Sequence, residues 1–299
     1  MKRLLLAFSP YGTGRAVPSA ISNRLRRSEA RFARLLWLSL FLAWVIVCPA
    51  LRAQCGASAN SVAATGQPAK YVKPYLLRPE LRSSLQKHGP RLTTAGQERL
   101  VSSGTLSTRG GSPVAVRLTQ ELPNLTRVDY TANSQSAGFD GSQQWKSTGS
   151  LQSDDQNLLE SLAYDSPDRF FLMQTNGVAP RHLGNAFRID GQVKTAYSGP
   201  RYNIYYIVDT IKTGSGATKT QGKYYMVNFN TQLVERVFYE DVNTKVPVQI
   251  VVDKWMQSGG NTVPQTVRRL ENNVEVWRLQ MDAASAAKTQ SDSTFCAAH

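Results

Sequence analysis

From residue 114 the chain alternates. Val114, Val116 and Leu118 are apolar, while Ala115, Arg117 and Thr119 between them are small or polar. That two-residue period predicts a strand over 114–122 with one buried face. Strands are likewise expected at 99–108, 125–130, 201–211, 223–229, 233–239, 246–255, 263–270 and 274–281, segments rich in β-branched and aromatic residues. Turn-forming residues separate them at 109–113, 123–124, 140–141, 214–216, 230–232 and 258–261. A further hairpin carries Phe139, Asp140 and Gly141 at its tip and Trp145 beyond. Two places change to the helical period. Pro79 opens a helix that runs to His88 and stops at Gly89-Pro90. Ser153-Asp154-Asp155 puts acids at the positive end of a second helix, where Leu158, Leu159, Leu162 and Ala163 share one face. Asp165-Ser166-Pro167 interrupts that helix, and a short one over 169–173 ends at Asn176-Gly177. Nine or ten sequential strands without strand–helix alternation predict a mainly β, α+β fold built as an antiparallel meander.

The first 53 residues follow neither period. Eight bases and one acid precede an apolar run of fourteen residues, 35–48, which Pro49 ends. This order of parts is that of an export signal, and the expected destination is the periplasm or cell envelope. Extended to Leu51 the run reaches seventeen residues, the lower edge of the ~17–25 that cross a bilayer. An inner-membrane anchor over 35–51 is therefore the alternative to cleavage, and either way membrane contact passes through this segment. Lipid attachment at Cys48 or Cys55 is disfavoured, because neither follows a small residue directly in the manner of a lipid-modified cysteine. Residues 54–70 are small and polar, a flexible linker before a β-rich domain over 71–283, and 284–299 read as a disordered tail.

Charge and composition alter this picture in one respect. The whole chain carries 35 Lys and Arg against 21 Asp and Glu, a net +14. Residues 1–53 hold nine of those bases and one acid, so the rest is only +6. The basicity belongs to the leader and does not indicate a nucleic-acid partner. Cys55 and Cys296 lie near the two ends of the exported part. In an oxidising compartment they are candidates to pair, and two free thiols on frayed ends are the alternative.

Candidate chemistry is sparse. Histidine occurs at 88, 182 and 299 only, with no Cys or acid cluster at ligand spacing, so no metal site or cofactor is expected. His182 lacks a Gly-x-Ser-x-Gly elbow and reads as a strand-edge residue. The 213–220 segment lacks phosphate-loop spacing and joins two strands. Asp154 and Asp155 are adjacent in sequence and read as helix caps rather than as a catalytic pair, which needs a gap of ~5–9 Å. No catalytic residue is nominated. What stands out is aromatic content in the strands: Tyr202, Tyr206, Tyr225, Phe229, Phe238, Trp255 and Trp277. These form either an ordinary core or the wall of a curved sheet that holds an apolar ligand.

The element order, with Asn228-Phe-Asn-Thr231 before an apolar strand and Trp255, Gly259-Gly260 and Pro264 further on, resembles the LolA-like superfamily of lipoprotein-localisation carriers over about residues 75–281. The resemblance implies an open antiparallel half-barrel with two or three helices covering its mouth. It also implies binding of an acyl chain, lipid or lipoprotein without enzymatic chemistry. On that basis Leu159, Leu162, Phe170 and Phe171 face the cavity from the helices, and Tyr206, Tyr225, Phe229 and Trp255 face it from the strands. An envelope interaction or sensor module on the same fold is the alternative function, and a hydrolase centred on His182 is a third.

Overall fold

The computed structural model describes residues 69–185, 188–189, 192–193, 200–213, 216–288 and 292–296. The leader, Cys55 and most of the expected linker lie outside the described residues.

Strands form where the alternation predicts them. The first meander comprises β1 (Arg99–Thr108), β2 (Val114–Glu121), β3 (Leu125–Tyr130), β4 (Gln135–Phe139) and β5 (Gln144–Lys146). Two helices follow, after α1 (Pro79–His88) earlier in the chain: α2 (Ser153–Tyr164) and α3 (Pro167–Thr175). The second half holds β6 (Arg181–His182), the two-stranded pair β7 (Arg188–Ile189) and β8 (Gln192–Val193), and then β9 (Tyr202–Lys212), β10 (Thr218–Asn228), β11 (Val234–Glu240), β12 (Pro247–Ser258), β13 (Asn261–Glu271) and β14 (Val274–Ala287). Twelve strands make one antiparallel sheet in the order β5-β4-β3-β2-β1-β14-β13-β12-β11-β10-β9-β6. Its edge strands do not pair with each other, so the sheet stays open.

This order corrects the expected single meander. Two meanders are joined through their first and last strands, with β1 pairing β14 from Arg99↔Ala287 to Thr108↔Trp277. A register shift at Ser103/Gly104 admits the close approach of β14. There a side-chain carbon on Gly104 would sit 2.0 Å from the carbonyl oxygen of Gln280, so only glycine fits.

The chain end is also corrected. A tail was expected after Ala283, yet β14 continues to Ala287 on β1. The run Ala283-Ala-Ser-Ala-Ala287 lacks alternation, but ladder hydrogen bonds come from the backbone and do not require large side chains. Beyond it a 3₁₀ turn at Asp292–Phe295 packs down with Phe295 fully buried. The Arg99 guanidinium lies 5.3 Å from the Phe295 ring centre. The Trp145 indole donates to the Phe295 carbonyl, and Arg127 donates to that of Thr294 at 2.9 Å. Cys296 is disulfide-bonded.

One main core lies between one face of the sheet and the helices. Leu81, Leu85 and His88 of α1 and Leu158, Leu159 and Leu162 of α2 recur at three- and four-residue spacing and bury one stripe of each helix. Capping sets the start of α2. Gln152 and Asp155 form a reciprocal box, which satisfies two of the amide groups a helix start leaves open. In α3 the Ser166 hydroxyl accepts from the Arg169 amide at 3.3 Å and Pro167 occupies the first turn. Among the described residues no helix is long and apolar enough to cross a membrane.

Candidate functional site

The sheet's inner face and the elbow between α2 and α3 enclose a cavity of about 50 Å³. Its floor is Leu100, Leu118, Ile250, Val252, Val267, Trp277, Leu279 and Met281, drawn from β1, β2, β12, β13 and β14. Its roof is Ser161, Leu162, Asp165, Ser166 and Pro167. The β1–β14 pairing is what brings the two ends of the folded chain to one floor. An apolar cavity of about 150 Å³ takes up benzene. The present cavity is about a third of that, so a longer chain enters only if the elbow rises.

Charged groups fasten the elbow. The Lys223 ammonium, fully buried, lies 2.8 Å from one oxygen of Asp165 and 3.2 Å from Asp209, and it donates to the Tyr164 carbonyl at 2.8 Å. The Tyr239 hydroxyl donates to the other Asp165 oxygen at 2.9 Å. Arg169 grips both oxygens of Asp209 at 2.6 and 2.9 Å. Arg269 donates to the Ser161 hydroxyl at 2.6 Å. Burial would raise the Asp209 pKa, but the Lys223 and Arg169 charges outweigh it and hold the carboxyl below its usual range. Burial, then the nearby Asp165 carboxylate among others, pushes the Tyr239 phenol far above its usual value. Buried charge requires partners of this quality to persist. Further out, Lys219 binds Glu160 at 2.7 Å and Lys146 binds Asp155 at 2.8 Å, tying α2 to the strands.

The nominated residues divide. Leu162 lines the cavity. Leu159, Phe170, Phe171 and Tyr225 are fully buried in the adjoining core, where Phe170 stacks on Tyr225 with ring centres 4.6 Å apart. Trp255 is half-buried and meets His88 edge-on at 5.1 Å, outside the cavity wall. Tyr206 is on the other face of the sheet. It pairs with Tyr224, packs on that ring at 5.1 Å and lies across Gly222. Phe229 is 51% exposed in the turn after β10, where the Asn228 side-chain oxygen accepts from the amides of Asn230 and Thr231. His182 is an exposed residue of the edge strand β6, stacked on Tyr205. Among the described residues no cluster of His, Cys, Asp and Glu is arranged to hold a metal.

The ionic cluster was not nominated, although its signal is present in the sequence. Asp209 falls in phase with Tyr205, Ile207 and Ile211, and Lys223 in phase with Tyr225 and Val227, so each charge occupies an inward position of an apolar strand face. An inward charge must find an inward partner.

The fold is an open antiparallel half-barrel with helices over its inner face, the arrangement expected from the sequence. Solved structures similar to this chain include a domain named for outer-membrane lipoprotein sorting from Vibrio parahaemolyticus. It shows 12% identity and a TM-score of 0.47, covering 71% of this chain and 94% of that one. A LolA superfamily protein from Nitrosomonas europaea shows 13% identity and a TM-score of 0.47, with 72% and 97% covered. A DUF1329 family protein from Desulfovibrio piger shows 10% identity and a TM-score of 0.45, with 73% and 94% covered. These likenesses concern the fold alone. No family model matches the sequence, and no curated protein matches it.

Proposed function

We propose that the protein is an exported envelope protein that takes up an apolar ligand, an acyl chain or lipid, between the sheet and the α2–α3 elbow. The observation that carries this reading is the cavity itself: a floor of Leu, Ile, Val, Met and Trp side chains from five strands, roofed by a helix elbow that polar contacts hold down. Apolar contact supplies the affinity. Burial of each methylene contributes ~0.8 kcal/mol, so a twelve-carbon chain offers on the order of 8–10 kcal/mol before the cost of raising the elbow. That suffices for reversible carriage without covalent chemistry. Cargo release to an envelope protein or membrane completes the role.

Native mass spectrometry of gently isolated protein tests the reading. The expected spectrum carries a retained lipid mass that organic extraction removes, and the extracted protein takes up one added acyl lipid. An unliganded mass that fatty acid and phospholipid leave unchanged contradicts the proposal. It would favour the interaction module, for which Tyr75, 70% exposed beside the exposed Leu76, is the observation at hand.

A further inference from the structure

Of the eight large apolar side chains exposed among the described residues, four are valines and the other four gather at one end of the half-barrel. Tyr75 and Leu76 stand on the 3₁₀ turn Pro74–Leu76, just before α1. Leu183 follows the edge strand β6, its amide donating to the Ile204 carbonyl of β9 at 2.8 Å. Phe229 stands on the turn after β10. Hydrogen bonds hold these segments side by side. The Arg78 guanidinium donates to the Pro180 carbonyl, just ahead of β6, at 3.2 Å. The Ser84 hydroxyl of α1 donates to the Gln232 carbonyl at 2.6 Å, and the Phe229 amide donates to the Arg201 carbonyl at 2.8 Å. One rim therefore runs from the 3₁₀ turn along α1, with β6 and the 229–232 turn beside it. Its charge is one-sided. Across 73–87, 180–183, 201 and 229–232 there are six bases, Lys73, Arg78, Arg82, Lys87, Arg181 and Arg201, and one acid. That acid, Glu80, is held by Arg78 at 2.5 Å. All of the bases except the half-buried Lys73 are exposed.

We propose that this rim docks the protein on an anionic lipid bilayer, with Tyr75, Leu76 and Phe229 entering the headgroup layer and the bases meeting lipid phosphates. The proposal stands apart from the cavity and holds whether or not the cavity takes a ligand. Aromatic rings settle at the level of the headgroups, where one part of the ring is apolar and its surroundings are wet. Basic side chains add attraction to a negative surface, roughly fivefold in affinity for each Lys or Arg brought close. The apolar groups cap turns rather than line the cavity, which suits shallow entry between headgroups better than the filling of a protein groove. Order along the chain agrees. Only residues 52–68 separate the apolar segment 35–51 from Ala69, so the rim is the part of the described fold fewest residues from the segment expected to touch the membrane.

The test is hydrogen exchange on the full-length protein with vesicles of phosphatidylcholine, alone or with phosphatidylglycerol added. The readout is local, so contact through 35–51 does not enter it. Amides of 75–78, 181–184 and 229–233 are expected to gain protection on the phosphatidylglycerol vesicles only, and to lose it in molar salt. Arg78→Glu combined with Arg181→Glu changes two exposed positions. It is expected to raise the lipid concentration for half protection more than about tenfold. Tyr75→Ser combined with Phe229→Ser is expected to raise it by about tenfold. Equal protection on both vesicle types overturns the proposal, and so does protection that survives the charge reversal. Rim amides that neither vesicle protects also overturn it, and leave the rim to a protein partner.

Discussion

Replacement of Lys223 by methionine is expected to lower the unfolding free energy by about 3–5 kcal/mol, the cost of removing one partner from a buried ion pair. Lys223 is fully buried between Asp165 and Asp209, which are almost as deeply buried. Methionine fills much of the same volume, so the loss is electrostatic rather than a cavity. Asp209 keeps its two bonds from Arg169. Asp165 keeps only the Tyr239 hydroxyl, and the Tyr164 carbonyl at the end of α2 loses its donor. The damage is therefore centred on the α2–α3 elbow. The measurement is a urea titration followed by circular dichroism. A second variant, Lys223→Met with Asp165→Asn, removes the stranded charge and is expected to recover a large part of the loss, as the coupling of contacting residues requires. A loss under about 1 kcal/mol for the single variant would place it among ordinary surface ion pairs and remove the cluster as the elbow's fastening.

Acid is expected to act through His88. The ring is fully buried, packed edge-on by Phe171 and Trp255 at 5.1 Å each, and it accepts from the Val234 amide at 3.4 Å. Burial, aided by the Arg91 charge and opposed by Asp168, pushes its pKa down from 6.5 to about 4. The folded pKa lies below the unfolded one, so the unfolded chain takes up the proton first as pH falls. His88 therefore contributes stability that is fully present above pH 6.5 and lost between pH 6.5 and pH 4. The shift corresponds to roughly 3 kcal/mol across that window. Asp and Glu residues also titrate there, so the quantity to measure is the difference between the wild-type protein and His88→Gln. The variant is expected to show the shallower decline between pH 6.5 and pH 4. Parallel curves would show that His88 titrates alike in both states.

The stretches that local rules govern were legible. Alternation placed most strands to within a few residues, and caps with an i, i+3, i+4 stripe placed α1 and α2. What escaped was non-local. No feature within β1 or β14 announces that they pair, and a glycine at the register shift, Gly104, has meaning only once both strands are in view. The site suffered from the same cause. Tyr206 and Tyr225 both sit in aromatic runs, but Tyr225 pairs with Tyr205 while Tyr206 pairs with Tyr224. One residue of register moves a side chain to the opposite face. Phe229 reads as a continuation of its strand, yet the Asn228 side chain turns the backbone one residue earlier. The sequence did mark Trp277 as a large aromatic, but only the paired strands place it on the cavity floor.

The most direct measurement locates the ligand. A lysophosphatidylcholine bearing a diazirine in its acyl chain is bound, irradiated and mapped by peptide mass spectrometry. The account predicts crosslinks on the roof at Leu162–Pro167 and on the floor at Leu279 and Met281, lost in competition with unlabelled lipid. Crosslinks confined to Tyr75 and Leu76, or to the opposite sheet face around Tyr206 and Tyr224, would contradict it and place binding outside the half-barrel.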